Sequence, residues 1–310
     1  MLSALLLASC GSGGGDERVR TIAVPTAVTV TMPEIPQRFA IAGDTVDLTS
    51  YENRERLDRE LIAFTYSHTN TLLGIKRANR YFPLIEPVLQ RHGIPDDMKY
   101  LTIVESYLNP FAVSGAGAAG VWQFMPATGK EFGLEVAKTV DERFDVAKST
   151  EAACKYMKQA YAKFGDWLAV AASYNAGQGR VRQFRDDHLS DDATHWWMTE
   201  QTSRYIFRLL AVKKIFTNPS AYGFVLTQSQ LYPPLQYDTV RVDKDIRDLA
   251  DFARRHGITY YQLRDANPWL RRQNLVCGRG KAYDILLPTQ ESIHYDPSAT
   301  VAHDGRWVAY

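Results

Sequence analysis

The chain has 310 residues but only three cysteines, which argues against disulfide bonds and cysteine-bound metal as sources of its stability. Cys10, Cys154 and Cys277 are far apart and show no CxxC spacing, so we predict neither a disulfide framework nor a zinc site. The seven histidines include no HExxH pattern, and we therefore expect no metal and no cofactor. Cys154 lies in an amphipathic helical pattern, where a cysteine is typical of a small core residue.

An excess of charge and a long apolar run are also missing. The 36 Lys and Arg nearly balance the 35 Asp and Glu, and the net charge of +1 indicates no basic surface for nucleic acid. After residue 10, no run approaches the ~20 apolar residues that a membrane-spanning helix needs. With 45% hydrophobic residues, the chain can form one sizeable core and a small second domain.

The N-terminus is the one segment whose pattern indicates a membrane. Residues 1–10, MLSALLLASC, form a short apolar run that ends in small residues before Cys10. This resembles a bacterial lipoprotein signal, and it implies cleavage before Cys10 and a lipid anchor on its sulfur. No Lys or Arg precedes Leu2, so a frayed apolar N-terminus stays an alternative. With the anchor, we expect the protein on the periplasmic face of a membrane, namely the outer membrane. Export to the cell surface is the alternative.

Beyond the signal, the periodicity predicts three further parts. Residues 11–50 are rich in Gly, Thr, Val and Pro and read as an extended linker. From residue 51 the pattern is helical, with helices predicted at 53–73, 76–91, from Pro95 to Asn109, 149–164, 166–174 and 202–216. We expect a mainly α domain over 51–232.

After the prolines at 233 and 234 the pattern changes to β-α-α-β. Strands are predicted at 239–242 and 282–287, with helices at 246–256 and 260–267 between them. This unit, 237–290, is too small to share the main core easily, and residues 291–310 form a tail.

Glu105 is a single carboxylate among apolar residues. On a helix Leu101, Val104 and Leu108 surround it, and it lies in the last turn before Pro110, where the helix dipole is negative. Both effects favour the protonated form, so we expect a raised pKa and a general acid. Position alone leaves a second reading equally open, in which Glu105 is a buried structural carboxylate paired with an Arg.

The surrounding sequence favours a sugar cleft. A bare segment, GAGAAG, follows Ser114, and Trp122 and Gln123 then add a ring and an amide. Tyr174 and Asn175 supply another ring and amide at a helix end. An acid, amides for hydroxyl and acetamido groups, and aromatic walls are the parts that a glycan site needs.

These blocks resemble a known family. Glu105-Ser106, the run 114–126 and the run ASYNAG at 172–177, in this order and spacing, are similar to the signature blocks of lytic murein transglycosylases of the soluble-lytic-transglycosylase type, and within them to the membrane-bound type D. The run GIP at 93–95 and the run DERFD at 141–145 also fit, and the signature core covers 93–217. The resemblance implies a lysozyme-like, mostly helical fold with peptidoglycan as its partner, and we expect a monomer.

The resemblance also implies roles. The family cuts the β-1,4 bond between N-acetylmuramic acid and N-acetylglucosamine, with Glu105 as acid and then base. No second carboxylate is near, and the family replaces it with the substrate's own groups, forming a 1,6-anhydro sugar. The motif assigns Ser106 to support of the acid and a Tyr in a looser fourth block to face it. The expected substrate-binding residues are Ser106, Ser114, Gln123, Met125, Tyr174, Asn175 and Tyr205.

The C-terminal unit resembles a divergent LysM module, which implies peptidoglycan binding. The run ITYYQLRDANPWL matches its second helix and AYDILLP its closing strand, whereas Asp243-Lys244-Asp245 replaces the usual Gly-Asp turn. A lid or stabilising appendage without ligand affinity stays an alternative. For the whole protein two rivals remain open, a goose-type lysozyme-like hydrolase of the same bond and a non-catalytic wall-binding lipoprotein.

Overall fold

A computed structural model describes residues 34–309, which fold mainly as helices with a small pair of strands near the C-terminus. The predicted fold class, a mainly α domain followed by a β-α-α-β unit, is confirmed. The predicted lipid anchor at Cys10 and most of the predicted linker lie outside the described residues. Within the described part, no helix is both long and apolar enough to cross a bilayer.

The last part of the predicted linker is a β-hairpin, so the prediction of an extended segment up to residue 50 is wrong there. Strands β1 (Arg38–Ile41) and β2 (Asp44–Asp47) pair antiparallel around a turn in which Ala42 and Gly43 both have positive φ. That turn matches the twist of a two-residue hairpin. Ile41 and Val46 are buried in the main core, so the hairpin is part of the domain.

The first two helices divide at a different place from the predicted one. Ser67 separates helix α1 (Tyr51–Tyr66) from α2 (His68–Arg91), and α2 runs without a break through residues 74 and 75, where we expected the boundary. Gly74 lies inside α2, and a Cβ added to it would be 3.3 Å from the Phe216 ring. The glycine therefore permits close helix packing and does not end the helix.

The predicted third helix is short. A 3-10 turn (Asp96–Tyr100) leads into α3 (Leu101–Ser106), which stops before the expected Asn109 because Tyr107 and Leu108 have φ of 50° and 54°. The other helices of the domain are α4 (Pro126–Glu131), α5 (Val146–Phe164), α6 (Trp167–Ala176), α7 (Gln178–His188) and α8 (Glu200–Thr217). Helix α8 is central, because it packs on α1, α3 and α6.

The C-terminal unit has the predicted order. Strands β3 (Tyr237–Val242) and β4 (Tyr283–Pro288) pair antiparallel, and α9 (Leu249–Arg255) and α10 (Tyr260–Ala266) lie between them in sequence. Asn267 joins α10 to β4, since its side chain donates to the Leu286 carbonyl at 2.6 Å and accepts from the Leu286 amide at 2.8 Å. A short helix α11 (Gln290–Ile293) follows.

The unit has its own hydrophobic core, but that core includes Ala119, Val140 and Phe144 from the larger domain. The two parts also share backbone hydrogen bonds, because the Asp141 amide donates to the Trp269 carbonyl at 2.9 Å and the Arg271 amide to the Thr139 carbonyl at 2.8 Å. The small unit is therefore joined to the segment before α5 by continuous packing.

The predicted tail also packs on the main domain. Trp307 is buried in the main core, and its indole donates to the Phe216 carbonyl at 2.8 Å. The His303 amide donates to the Asn79 side chain of α2 at 2.7 Å. Residues after α11 therefore form part of the domain that begins at β1.

Candidate active site

Glu105 lies in the last turn of α3, partly buried against α8. The Tyr205 hydroxyl of α8 donates to its carboxylate Oε1 at 2.5 Å, and Tyr205 itself is almost fully buried. Burial raises the pKa of Glu105 to about 7, although the Tyr205 hydrogen bond and the charge of Arg208 act to lower it. A large fraction of Glu105 therefore holds its proton at neutral pH, as the sequence predicted.

A buried carboxylate paired with arginines does exist, but it is Glu60 of α1. Glu60 is fully buried and accepts from Arg204 at 2.6 Å and from Arg208 at 3.3 Å. Arg59 also contacts it at 3.2 Å. In the described residues Glu105 forms no such ion pair, so the structural reading of Glu105 fails. Because Glu60 engages Arg208, that arginine is only a secondary influence on Glu105.

The Ser106 hydroxyl does not contact Glu105. It donates to the carbonyls of Thr102 at 3.1 Å and Val121 at 3.0 Å. Ser106 therefore links α3 to the glycine-containing segment that follows, and the hydroxyl in contact with the acid belongs to Tyr205. Only the loose fourth block of the sequence pattern indicated that tyrosine.

The segment 112–125, which we call the glycine loop, is held by its own polar groups. Ser114 Oγ accepts from the Ala118 amide at 3.0 Å, and the Gln123 side-chain nitrogen donates to the Gly120 carbonyl at 2.8 Å. Gln123 has a φ of 49°, in the left-handed region that few residues other than glycine adopt. The amide nitrogen of Gln123 is thus engaged inside the loop, whereas Met125 at the loop's end is 42% exposed.

Arg143 fixes the glycine loop from behind, a role that the sequence analysis missed. The buried Arg143 side chain donates to the carbonyls of Gly117 at 2.8 Å and Phe124 at 2.9 Å, and it pairs with Asp141 at 2.7 Å. Gly120 has a φ of 76°, and a Cβ there would lie 1.9 Å from the Arg143 carbonyl oxygen. The run DERFD at 141–145, which contains Arg143, fitted the family pattern, but its sequence does not show which loop Arg143 contacts.

The two aromatic residues expected in the cleft, Trp122 and Tyr174, lie in different surroundings. Trp122, which we expected beside the cleft, is fully buried with its indole donating to Thr150 Oγ1 at 2.8 Å, so this expectation is wrong. Tyr174 is partly buried and donates to the Trp122 carbonyl at 2.9 Å. The charge of Glu105 acts on Tyr174, and Tyr174 acts electrostatically on Tyr205. Burial raises the pKa of both tyrosines well above the usual value, so both stay neutral hydrogen-bond donors.

Asn175 follows Tyr174 at the end of α6. Its side-chain oxygen accepts from the Thr202 hydroxyl of α8 at 3.2 Å. The structure therefore brings Glu105, Tyr174 and Tyr205 together with Asn175 beside them, and Ser114 and Met125 lie on the loop that Ser106 attaches to α3. No second carboxylate is among the charged groups that act on Glu105 in the described residues.

Two parts of the chain match known protein families. Residues 84–196 match the family model of the transglycosylase SLT domain, and residues 238–291 match the soluble lytic transglycosylase C-terminal LysM-like domain. Membrane-bound lytic murein transglycosylase D of Escherichia coli K12 is 32% identical over 262 residues, which cover 82% of this chain and 56% of the relative. Membrane-bound lytic murein transglycosylase F of Desulfosudis oleivorans is 30% identical over 158 residues, covering 48% and 32%.

Solved structures are more distant. The 70 kDa soluble lytic transglycosylase of Escherichia coli is 21% identical, with a TM-score of 0.41, over 54% of this chain and 31% of that one. The chain spans about half the length of the curated type D relatives that it matches. It contains a transglycosylase SLT domain followed by a LysM-like domain, and it is homologous to the membrane-bound lytic murein transglycosylases D.

Proposed function

We propose that this protein is a lytic transglycosylase that cleaves the β-1,4 bond between N-acetylmuramic acid and N-acetylglucosamine in peptidoglycan. The observation that carries the proposal is Glu105, whose pKa is raised to about 7 and whose carboxylate accepts from Tyr205 at 2.5 Å within an SLT domain. A carboxyl group that is half protonated near neutral pH can serve as an acid in one step and as a base in the next.

In the proposed first step, protonated Glu105 donates its proton to the glycosidic oxygen, and the bond to muramyl C1 breaks. The substrate's acetamido oxygen stabilises the positive charge that develops at C1. Glu105, now a carboxylate, accepts the proton of the muramyl C6 hydroxyl, and that oxygen bonds to C1. The products are an N-acetylglucosamine hydroxyl end and a 1,6-anhydro-muramyl end, with Glu105 protonated again and no water consumed.

No carboxylate is among the groups that shift the pKa of Glu105 in the described residues, and this favours the route over hydrolysis. Glycosidases that use water or an enzyme nucleophile place two carboxyl groups about 5–9.5 Å apart. In the described residues, the groups that shift the pKa of Glu105 besides burial are Tyr205 and Arg208. An internal hydroxyl on the same ring has a high effective molarity, so it competes well against water. Tyr205, which stays neutral, keeps donating to the carboxylate through both steps.

The remaining roles are proposals from position. We propose that Ser114, Gln123, Met125, Tyr174 and Asn175 line the glycan cleft, and that Ser106 supports the acid through the loop it attaches. We also propose a catalytic domain at 51–232 and a wall-binding LysM-like unit at 237–290. The hairpin 38–47 and the residues after 290 pack on the larger domain. A lipid on Cys10 would hold the monomer on the periplasmic face of the outer membrane.

Product analysis on purified peptidoglycan sacculi tests the proposal. Mass spectrometry of the released fragments should show 1,6-anhydro-muramyl ends, and Glu105→Gln should abolish them. The control Glu131→Gln removes an exposed carboxylate and should change nothing. Reducing muramyl ends would instead support the hydrolase. Binding of sacculi without any release by the wild-type chain would support the non-catalytic wall-binding protein.

A further inference from the structure

A groove separates helix α2 from the C-terminal unit, and Glu105 is not among its lining residues. It consists of two adjoining cavities of about 340 and 350 Å³ that share Tyr237, Asp265 and Ala266. Helix α2 forms one wall with Arg80 and Tyr81, and β3 and α10 form the other. We call it the inter-unit groove. Each cavity is within the size range of ligand sites in proteins.

The first cavity combines apolar walls with two carboxylates. Leu84, Pro110 and Leu286 contribute hydrocarbon surface. One carboxylate is Asp145, the N-cap of α5, whose Oδ1 accepts from the Lys148 amide at 2.9 Å. The other is Asp265, which has no hydrogen-bond partner among residues 34–309. Burial raises the pKa of both acids, against the lowering effect of the Lys148 amide and charge on Asp145 and of the Arg80 charge on Asp265. A bound cation would stabilise both carboxylates.

The second cavity adds a positive charge, Arg80, to the shared Asp265. The Arg80 Nε donates to the Pro233 carbonyl at 3.0 Å, and its guanidinium stacks over the Tyr232 ring at 5.4 Å. Arg80 acts electrostatically on Asp265, yet within the described part of the chain it forms no ion pair with any carboxylate. An acid and a base that line one groove without pairing are suited to a ligand that carries both charges.

We propose that the inter-unit groove binds the free amino-acid group of a peptide, with the ammonium at Asp265 and Asp145, the carboxylate at Arg80 and the aliphatic chain against the apolar walls. A neutral sugar can form hydrogen bonds to these side chains but neutralises neither charge, whereas an amino-acid group neutralises both, so we propose a peptide and not a glycan. The inference rests on the proposed function, because peptidoglycan carries short peptides on its glycan strands. The groove would then engage the peptide of a strand whose glycan lies in the cleft.

Calorimetric titration of the full chain with the tripeptide Ala-γ-Glu-diaminopimelate tests the inference. The peptide contains no glycosidic bond, so the result is independent of catalysis. We expect binding to the wild type and at least a tenfold weaker affinity for Asp265→Asn and for Arg80→Gln. Asp238→Asn makes the same charge change on an exposed β3 residue outside both cavities and should bind as the wild type does. Circular dichroism of each variant checks that it is folded.

The same titration with other ligands separates the alternatives. Tripeptide acetylated on the diaminopimelate amine should lose at least tenfold in affinity. No binding of the free tripeptide, or equal affinity for the wild type and Asp265→Asn, would overturn the inference. So would chitotetraose binding that depends on Asp265. Tripeptide binding together with a failure to produce anhydro ends would leave the groove in place and remove the proposed enzyme.

Discussion

The raised pKa of Glu105 predicts that this carboxylate destabilises the fold at alkaline pH. Burial raises its pKa from the usual 4.5 to about 7, so the folded chain holds a proton that the unfolded chain releases. Between those pH values the folded state binds more protons, and the free energy of unfolding therefore falls as the pH rises. Below pH 4.5 both states are protonated and the effect vanishes. Glu105→Gln, which never ionises, should remove this pH-dependent cost.

The magnitude follows from the two pKa values. A change from 4.5 to about 7, at about 1.4 kcal/mol for each tenfold change in acidity, corresponds to about 3 kcal/mol at pH 8. A glutamine also keeps an oxygen that accepts from Tyr205, so the substitution retains that contact. We expect the variant to unfold about 5 °C above the wild type at pH 8 and at nearly the same temperature at pH 4.

Thermal unfolding followed by circular dichroism at pH 4, 6 and 8 measures this difference. The control Glu131→Gln removes a carboxylate that is already exposed, and it should show no such pH trend. If the difference between Glu105→Gln and the wild type were the same at pH 4 and pH 8, the raised pKa would be wrong. An acid with an ordinary pKa could not act as the proton donor near neutral pH in the proposed mechanism.

Two further predictions concern the acid's partner and the glycine loop. The Tyr205 hydrogen bond lowers the pKa of Glu105, so Tyr205→Phe should raise that pKa and move the alkaline limb of the pH–kcat/KM profile to higher pH. An assay of sacculus solubilisation measures the profile. If the alkaline limb does not move, the contact between Tyr205 and Glu105 is contradicted. Gly120→Ala places a Cβ 1.9 Å from the Arg143 carbonyl oxygen at positive φ, which should cost about 3 kcal/mol or more in urea unfolding. Gly115→Ala, with open space around it, should stay within about 0.5 kcal/mol, and equal losses for both would refute the packing argument.

The sequence was sufficient for the acid because its signal is local. Three apolar neighbours at helical spacing place Glu105 on a buried face, and the direction of its pKa shift follows from that burial alone. The Tyr205 contact is different, because it joins residues 100 positions apart. Nothing in the periodicity of α8 shows which of its buried side chains meets α3, so only the family pattern could indicate it.

Two of the errors in the helical domain have tertiary causes. Gly74 is a reasonable place to end a helix by local propensity, but here it makes room for the ring of Phe216, which lies 142 residues later in α8. The hairpin at 38–47 had a local signal, alternating Phe39 and Ile41 before an Ala-Gly turn. The surrounding Gly, Thr and Pro content favoured a linker, and burial of Ile41 by the main domain decided otherwise.

The segment 135–145 connects the C-terminal unit to the glycine loop. On one side Arg143 holds the carbonyls of the glycine loop, and on the other the Asp141 amide bonds to the carbonyl of Trp269 in the C-terminal unit. Lys281 pairs with Glu135 of the same segment at 2.8 Å. Ala119 of the loop even packs in the core of the C-terminal unit.

A flexible tether between the two parts would let the LysM-like unit concentrate the enzyme on the wall without affecting its geometry. The observed contacts make a different arrangement, because any movement of the C-terminal unit must break hydrogen bonds to the segment that fixes the glycine loop. Core contacts of this kind have few alternative arrangements, so they transmit displacement and do not absorb it. The LysM-like unit therefore supports the shape of the glycine loop, in addition to any ligand binding of its own. In this chain, the alternatives of a wall-binding module and a stabilising appendage are not exclusive.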